Sequence, residues 1–230
     1  MSNAVTYELS ESVAAITMDD GKVNSLSPRM LAELGAAFDR AEADKAVVLL
    51  GGREGRFSAG FDLAVFKQGD EAVRGMLSAG ARLSARILSF PTPVVIACTG
   101  HALAMGAFLL LSADLRIGVD GPYKIGLNEV AIGMTVPHFG IEMARQRLAP
   151  AHFNLALTTA FIYSPREAVA AGFLDRAVAA SDLDAVIREA ALALTRVDMK
   201  AHAETKQRAR AGALTALRAA VQADFGEGPR

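Results

Sequence analysis

The sequence predicts an α/β protein, and three observations carry that expectation. Apolar runs of strand length alternate with segments of helical period through the first two thirds of the chain. Several of those runs lack polar alternation, as strands buried on both faces do. The last third shows helical period alone. A length of 230 residues suits one such core with a helical appendage, divided here as residues 1–180 and 181–230.

Taken in order, residues 5–9 and 13–18 read as two short strands around a turn at 10–12, and Asp19-Asp20-Gly21 closes the second. Ser27-Pro28 supplies an N-cap and a first-turn proline, after which Met30, Leu31, Leu34, Phe38 and Ala41 recur at helical spacing. AVVLL at 46–50 is a buried strand ended by Gly51-Gly52. Residues 53–60 are expected to be a loop, 61–66 a short helix and 71–89 a longer one. A strand at 94–98, a Gly turn at 99–101, a helix over 105–112 and a strand at 115–119 follow. Helices are expected at 137–148, 153–160 and 165–171, and residues 181–223 read as almost wholly helical.

Lys+Arg 24 against Asp+Glu 25 gives a net charge of −1, which excludes a nucleic-acid protein working by bulk charge. A 52% hydrophobic and 21% charged composition is that of a soluble globule and excludes disorder. One stretch imitates a membrane span: residues 90–113 carry no Asp, Glu, Lys or Arg. Pro91, Pro93 and the Thr99-Gly100-His101 turn break it, so it reads as a core strand and helix instead. The single Cys98 allows no internal disulfide, no Cys/His group has zinc spacing, and MSNAVTYELSE lacks the pattern of a secretory signal. A cytoplasmic location is the default.

The common catalytic signatures are missing. There is no P-loop, no GxGxxG and no GxSxG, and Ser58 in FSAGFD lacks the preceding glycine. Two glycine turns that lead into expected helices stand out, at 57–63 (FSAGFDL) and 100–106 (GHALAMG). A helix N-terminus offers unpaired N–H groups and partial positive charge, suited to an oxyanion. The plainer reading of both is as loops closing βα units.

FSAGFDL, GHALAMGAFLLLSADLRI and IGLNEVAIGM, with VNSLS at 23–27 and SPREAVAAGFLDRAV at 164–178, resemble the crotonase (enoyl-CoA hydratase/isomerase) superfamily over nearly the whole chain. The resemblance implies a spiral of ββα repeats and a C-terminal helical trimerisation region. It also implies an acyl-CoA thioester as substrate, with the coenzyme A supplied by that substrate and no separate cofactor or metal. A homotrimer or dimer of trimers follows from it, and neither nucleic acid nor membrane is an expected partner. The motifs place an oxyanion hole at the backbone N–H groups of Phe61 and Met105, where the family commonly has glycine at the second position.

The motifs also locate two catalytic glutamates that flank a water in family hydratases. The first position is Phe108 here, and the second, Glu129, is retained. A single carboxylate suits proton transfer between the carbons of an enoyl thioester better than addition of water. The resemblance is therefore nearer to Δ3,Δ2-enoyl-CoA isomerases. A hydratase of weak activity and a non-catalytic acyl-CoA binder are the alternatives. Ser25, Ala59, Leu63, Phe108, Pro137 and His138 are expected to line the substrate, and Arg53 and Arg56 to meet the coenzyme A phosphates.

Plainer roles compete at several of these residues. A lone glutamate such as Glu129 is more often solvated or capping. Asp62 reads as a helix cap and His101 as a core residue. His138 is a candidate second acid/base of a decarboxylase- or hydrolase-like variant. Lys200, Lys206, Arg208 and Arg210 read as a solvated helix face. Leu214, Leu217 and Val221 form an apolar stripe suited to an interface. After Phe225 the family commonly continues through another short helix over the acyl pocket, which leaves lid and trimer packing open.

Overall fold

Each glycine-ended apolar run of the sequence becomes the first strand of a pair. The computed structural model describes residues 3–226. In chain order the elements are β1 (Val5–Ser10), β2 (Val13–Met18), β3 (Ser25–Leu26), α1 (Pro28–Ala43), β4 (Val47–Gly52), β5 (Gly55–Ser58), β6 (Gly60–Phe61) and α2 (Asp70–Ser89). β7 (Val94–Cys98), β8 (Gly100–Leu103), α3 (Met105–Ser112), β9 (Leu115–Val119), β10 (Ile125–Gly126), α4 (His138–Arg145) and α5 (Pro150–Thr159) follow. The chain continues with β11 (Ile162–Tyr163), α6 (Pro165–Ala171), β12 (Arg176–Val178), α7 (Leu183–Leu194), α8 (Met199–Ala209) and α9 (Ala211–Phe225).

A six-stranded sheet runs β1-β2-β4-β7-β9-β12, parallel apart from the β1–β2 hairpin, and a four-stranded sheet runs β11-β10-β8-β5. Successive pairs divide between them. β4, β7 and β9 lie in the large sheet, while β5, β8 and β10 lie in the small one. The chain thus steps from one sheet to the other and returns through a helix, the ββα spiral that the resemblance implied. β3 and β6 form a separate two-stranded parallel ladder.

The strong local signals are realised. Ser27 caps α1 by accepting from the Met30 N–H, and Met30, Leu31, Leu34, Phe38 and Ala41 are its buried face. All five residues of β7 and all eight of α3 are buried, so the charge-free run is core. Among the described residues no helix is long and apolar enough to cross a membrane.

The weak signals fail for a common reason. Residues 53–60 contain β5 and the start of β6, the turn at 99–101 opens β8, and Gly51-Gly52 extends β4. Phe61 lies on β6 where a helix was expected, leaving only a 3₁₀ turn at Val65–Lys67. β10, β11 and β12, two or three residues long, had no sequence signal. Strands this short have no period to read and exist because a neighbour pairs with them. α4 starts after Pro137 and is shorter than expected.

The C-terminal stripe is a second correction. Leu214, Leu217 and Val221 are buried in the same core cluster as Phe38 and Phe108, together with Phe225. Helices α7–α9 fold back on their own chain: α7 covers part of the large sheet, α8 packs on α2, and α9 on α2 and α4. The stripe is therefore spent internally. Residues 227–230, at which the departure from the family's C-terminus was noted, lie outside the described residues.

Candidate active site

The first glycine turn is held by side chains whose hydrogen bonds are already used. Asn24, fully buried with φ +53, donates from Nδ2 to the carbonyls of Met18 (2.9 Å), Arg56 (3.1 Å) and Phe57 (3.2 Å). Ser58 donates to the Asn24 carbonyl at 2.8 Å and accepts from the Gly60 N–H at 3.1 Å. Its hydroxyl is a structural pin, which removes it as a nucleophile. Sequence reasoning missed both roles, although VNSLS and FSAG contain them.

The second turn is strained. Ala104, the N-cap of α3, sits at φ 49 and ψ −122, a region that L-residues rarely adopt, at a cost of about 1–3 kcal/mol. Its N–H is held by the Gly126 carbonyl at 3.0 Å. The strain turns the backbone so that α3 opens at Met105, whose N–H, first in the helix, has no intrahelical acceptor.

The two turns meet backbone to backbone. A Cβ on Gly60 (φ +93) would stand 2.8 Å from Ala104 Cβ and 3.3 Å from the Met105 nitrogen, and one on Gly106 would stand 2.7 Å from the Ser58 carbonyl. Only glycine permits that approach. Phe61 pairs with Leu26 in the small ladder, and its ring packs on Gly80 of α2 beside the Met105 methyl. Met105's side chain is fully buried there.

Glu129 follows Gly126 by three residues, so the bond from Ala104 to Gly126 places the two segments side by side. Its side chain is 6% exposed, and Oε2 has no hydrogen-bond partner among the described residues. Burial raises its pKa from 4.5 to about 7, opposed slightly by a backbone hydrogen bond. A carboxyl group with a free oxygen and a near-neutral pKa is suited to exchange protons.

Phe108, one turn into α3, is buried at 1% exposure. Its ring rests on Gly140 of α4, where a Cβ would meet Cζ at 2.6 Å, and it lies 5.8 Å from the Phe139 ring. Pro137 caps α4 with its backbone and is half-buried. The His138 ring is 70% exposed, with Nδ1 2.7 Å from Asp224 Oδ1. It does not share the buried setting of Glu129.

The remaining residues spread over the surface near the first turn. Ser25 and Asp62 line a polar groove of about 810 Å³, with Lys22 on its rim. Arg53 Nη1 donates to the Lys22 carbonyl at 2.9 Å, beside that groove, whereas Arg56 turns to the Gly55 carbonyl. Ala59 and Leu63 are exposed. Asp62 accepts from the Ala64 N–H in a local turn, and caps no helix, since the 3₁₀ turn that follows has no side-chain cap. His101 accepts from the Lys124 N–H, packs against Tyr123 and is held below its usual pKa by burial, with Arg56 and Lys124 adding to the effect.

The basic stretch near the end is not wholly a solvated face. Lys206 is buried with its amine 2.6 Å from Asp114, and Arg210 reaches the same carboxylate at 2.8 Å. Among the described residues no group of three or more His, Cys, Asp or Glu could hold a metal ion.

Residues 8–226 match the family described as enoyl-CoA hydratase/isomerase. The chain belongs to that family. Family members of known structure superpose closely. An enoyl-CoA hydratase/isomerase family protein from Pseudomonas syringae is 45% identical over 98% of both chains, with a TM-score of 0.95. A Mycobacterium tuberculosis protein, named an enoyl-CoA isomerase with one of its structures and a probable enoyl-CoA hydratase with another, is 42% identical over 99% of this chain and 100% of that one in the first, at 0.93. A probable enoyl-CoA hydratase from Bacillus subtilis is 34% identical over 60% of this chain. That match spans just 54% of the relative's length. Family membership leaves open which family reaction this chain performs.

Proposed function

We propose that the protein shifts the double bond of a 3-enoyl-CoA to the 2-position, with Glu129 as the single acid/base. The observation that carries this reading is the buried Glu129 carboxyl, one oxygen unpartnered and its pKa about 7, accompanied by Phe108 in place of a second carboxylate. Glu129 takes a proton from C2, the electron pair spreads through the dienolate to the thioester oxygen, and the same carboxyl returns the proton to C4.

The N–H groups of Phe61 and Met105 form the oxyanion hole of this proposal. A donor aimed at such an oxygen contributes about 2.7–4 kcal/mol to the rate. Phe108 contributes an apolar wall that excludes the competing water. The thioester's coenzyme A supplies the binding handle, its chain passing Ser25, Ala59 and Leu63 and its phosphates near Arg53, Lys22 and Arg56, with no further cofactor. The family's homotrimer belongs to the same proposal.

The similarity to the human mitochondrial enoyl-CoA delta isomerase supports this reading, while relatives named hydratase from Bacillus subtilis and Thermus thermophilus favour hydration as the second. Assays of wild type and Glu129→Gln with a 3-enoyl-CoA and with crotonyl-CoA separate the two. Isomerisation that is lost in Glu129→Gln, with negligible hydration, is the expected result. Brisk hydration of crotonyl-CoA by the wild type would falsify the single-base mechanism. Coenzyme A thioester binding with neither reaction would assign the chain to the non-catalytic binders.

A further inference from the structure

The aromatic contacts that support Phe108 begin in the last turn of the final helix. The Phe225 ring lies 6.1 Å from Phe139, and Phe139 lies 5.8 Å from Phe108. Asp224, beside Phe225 in sequence, is 9% exposed in its side chain. Its Oδ1 accepts from the His138 N–H at 3.0 Å and lies 2.7 Å from His138 Nδ1, and its Oδ2 accepts from the Phe139 N–H at 2.9 Å. These main-chain donors are the orphan N–H groups that open a helix, and Pro137 at the N-cap has no side-chain acceptor for them. Helices ordinarily take such a cap from the residue just before them. α4 takes it from a residue 86 positions further on.

α9 is itself anchored, since Arg74 of α2 donates to the Phe225 carbonyl at 2.8 Å. Asp224 therefore fixes where α4 begins relative to α2 and α3. Gly140, on which the Phe108 ring rests, lies in that first turn.

We propose that Asp224 is a positioning residue for the Glu129 reaction: by capping α4 it holds the Phe139–Phe108 wall closed to water and so favours proton transfer over hydration. The reaction part of this inference rests on the isomerase reading above. Asp224 touches no reacting atom and acts through α4.

The test compares Asp224→Ala and Asp224→Asn with wild type for the ratio of crotonyl-CoA hydration to 3-enoyl-CoA isomerisation. The expected rise is about tenfold for Asp224→Ala, the size of a 1.4 kcal/mol change in relative barriers. Asp224→Asn, which keeps one acceptor oxygen, should rise less. In a Phe108→Ala background the Asp224 effect on the ratio should vanish, because the wall it positions is gone. Equal losses of both activities, unchanged by the background, would mean a purely structural cap and overturn the proposal.

Amide hydrogen exchange tests the same coupling without any substrate. Asp224→Ala should exchange faster over residues 105–112 and 138–145, while β1 and β2 keep their wild-type protection. Faster exchange confined to α9 would also overturn the proposal. A wild type that hydrates and does not isomerise removes the Glu129 reading, and the exchange pattern then decides the positioning role by itself.

Discussion

Gly60 and Met105 face each other across the junction of two ββα units, so close that a Cβ on Gly60 would stand 3.3 Å from the Met105 nitrogen. The same Cβ would press on Ala104 Cβ at 2.8 Å, and the residue's φ of +93 disfavours any side chain. Gly60→Ala is therefore expected to push the turns apart. With the proposed oxyanion donor at Met105 displaced, kcat for isomerisation should fall about 10²-fold or more while the KM for the thioester changes less. Steady-state kinetics on the folded variant reads this, and an unchanged kcat would show that the contact has no part in the chemistry.

Glu129 links activity to pH. As the base of the proposed reaction it must be ionised, so kcat/KM should rise with pH through about 7 and level off above it. A profile flat from pH 5 to 8 contradicts that role.

Stability should follow the opposite sign. The folded-state pKa lies above the unfolded value of 4.5, so the folded state holds the proton more tightly. The associated stability is complete below pH 4.5 and is lost as pH rises through about 7. Glu129→Gln, neutral throughout, should match wild type near pH 4.5 and exceed it above pH 8 by roughly 3 kcal/mol at most. Thermal unfolding of both proteins across that range checks the divergence.

Ala104 offers a stabilising substitution. Its φ of 49 and ψ of −122 suit glycine, so Ala104→Gly trades about 1–3 kcal/mol of strain against about 0.4–1 kcal/mol of added unfolded-state entropy. A net gain near 1 kcal/mol with isomerisation retained is expected from denaturant unfolding. A loss of stability would mean that the surroundings hold the alanine without strain.

Phe108→Glu supplies a carboxylate at the first of the two glutamate positions the motif resemblance implies, and should yield measurable crotonyl-CoA hydration. The ring's packing on Gly140 and Phe139 is lost at the same time, at a cost of about 3–5 kcal/mol. A folded Phe108→Glu without hydratase activity would show that a hydratase needs more than this carboxylate.

Asp114 tests the C-terminal anchorage. Lys206 and Arg210 both end on its carboxylate, and burial holds the Lys206 amine down to about 8. Asp114→Ala leaves two largely buried cations without their shared partner, which costs about 3–5 kcal/mol. Urea unfolding measures it, and a change below 1 kcal/mol would place the anchorage of α8 elsewhere.

Local codes were legible. Ser27-Pro28, the apolar stripe of α1 and the charge-free strand and helix each act within a few residues, and their elements appear as expected. The motif resemblance also exposed the pairing of a retained Glu129 with a Phe108. β5, β6 and β10 were not legible, because strands of two to four residues form only where a distant neighbour supplies their hydrogen bonds. The C-terminal stripe misled for a related reason. An apolar face states that it will be covered, not by what, and α2 and α4 of the same chain cover it.

By itself the sequence determined an α/β core and the family, since both are written in residue identity and order. Tertiary structure alone decided the rest. It brought Gly60 against Met105, shut Glu129 away from water so that its pKa approaches neutrality, and carried Asp224 from the final helix to the start of α4. Those outcomes depend on solvent exclusion and close approach between segments far apart in the chain, which a local pattern does not encode.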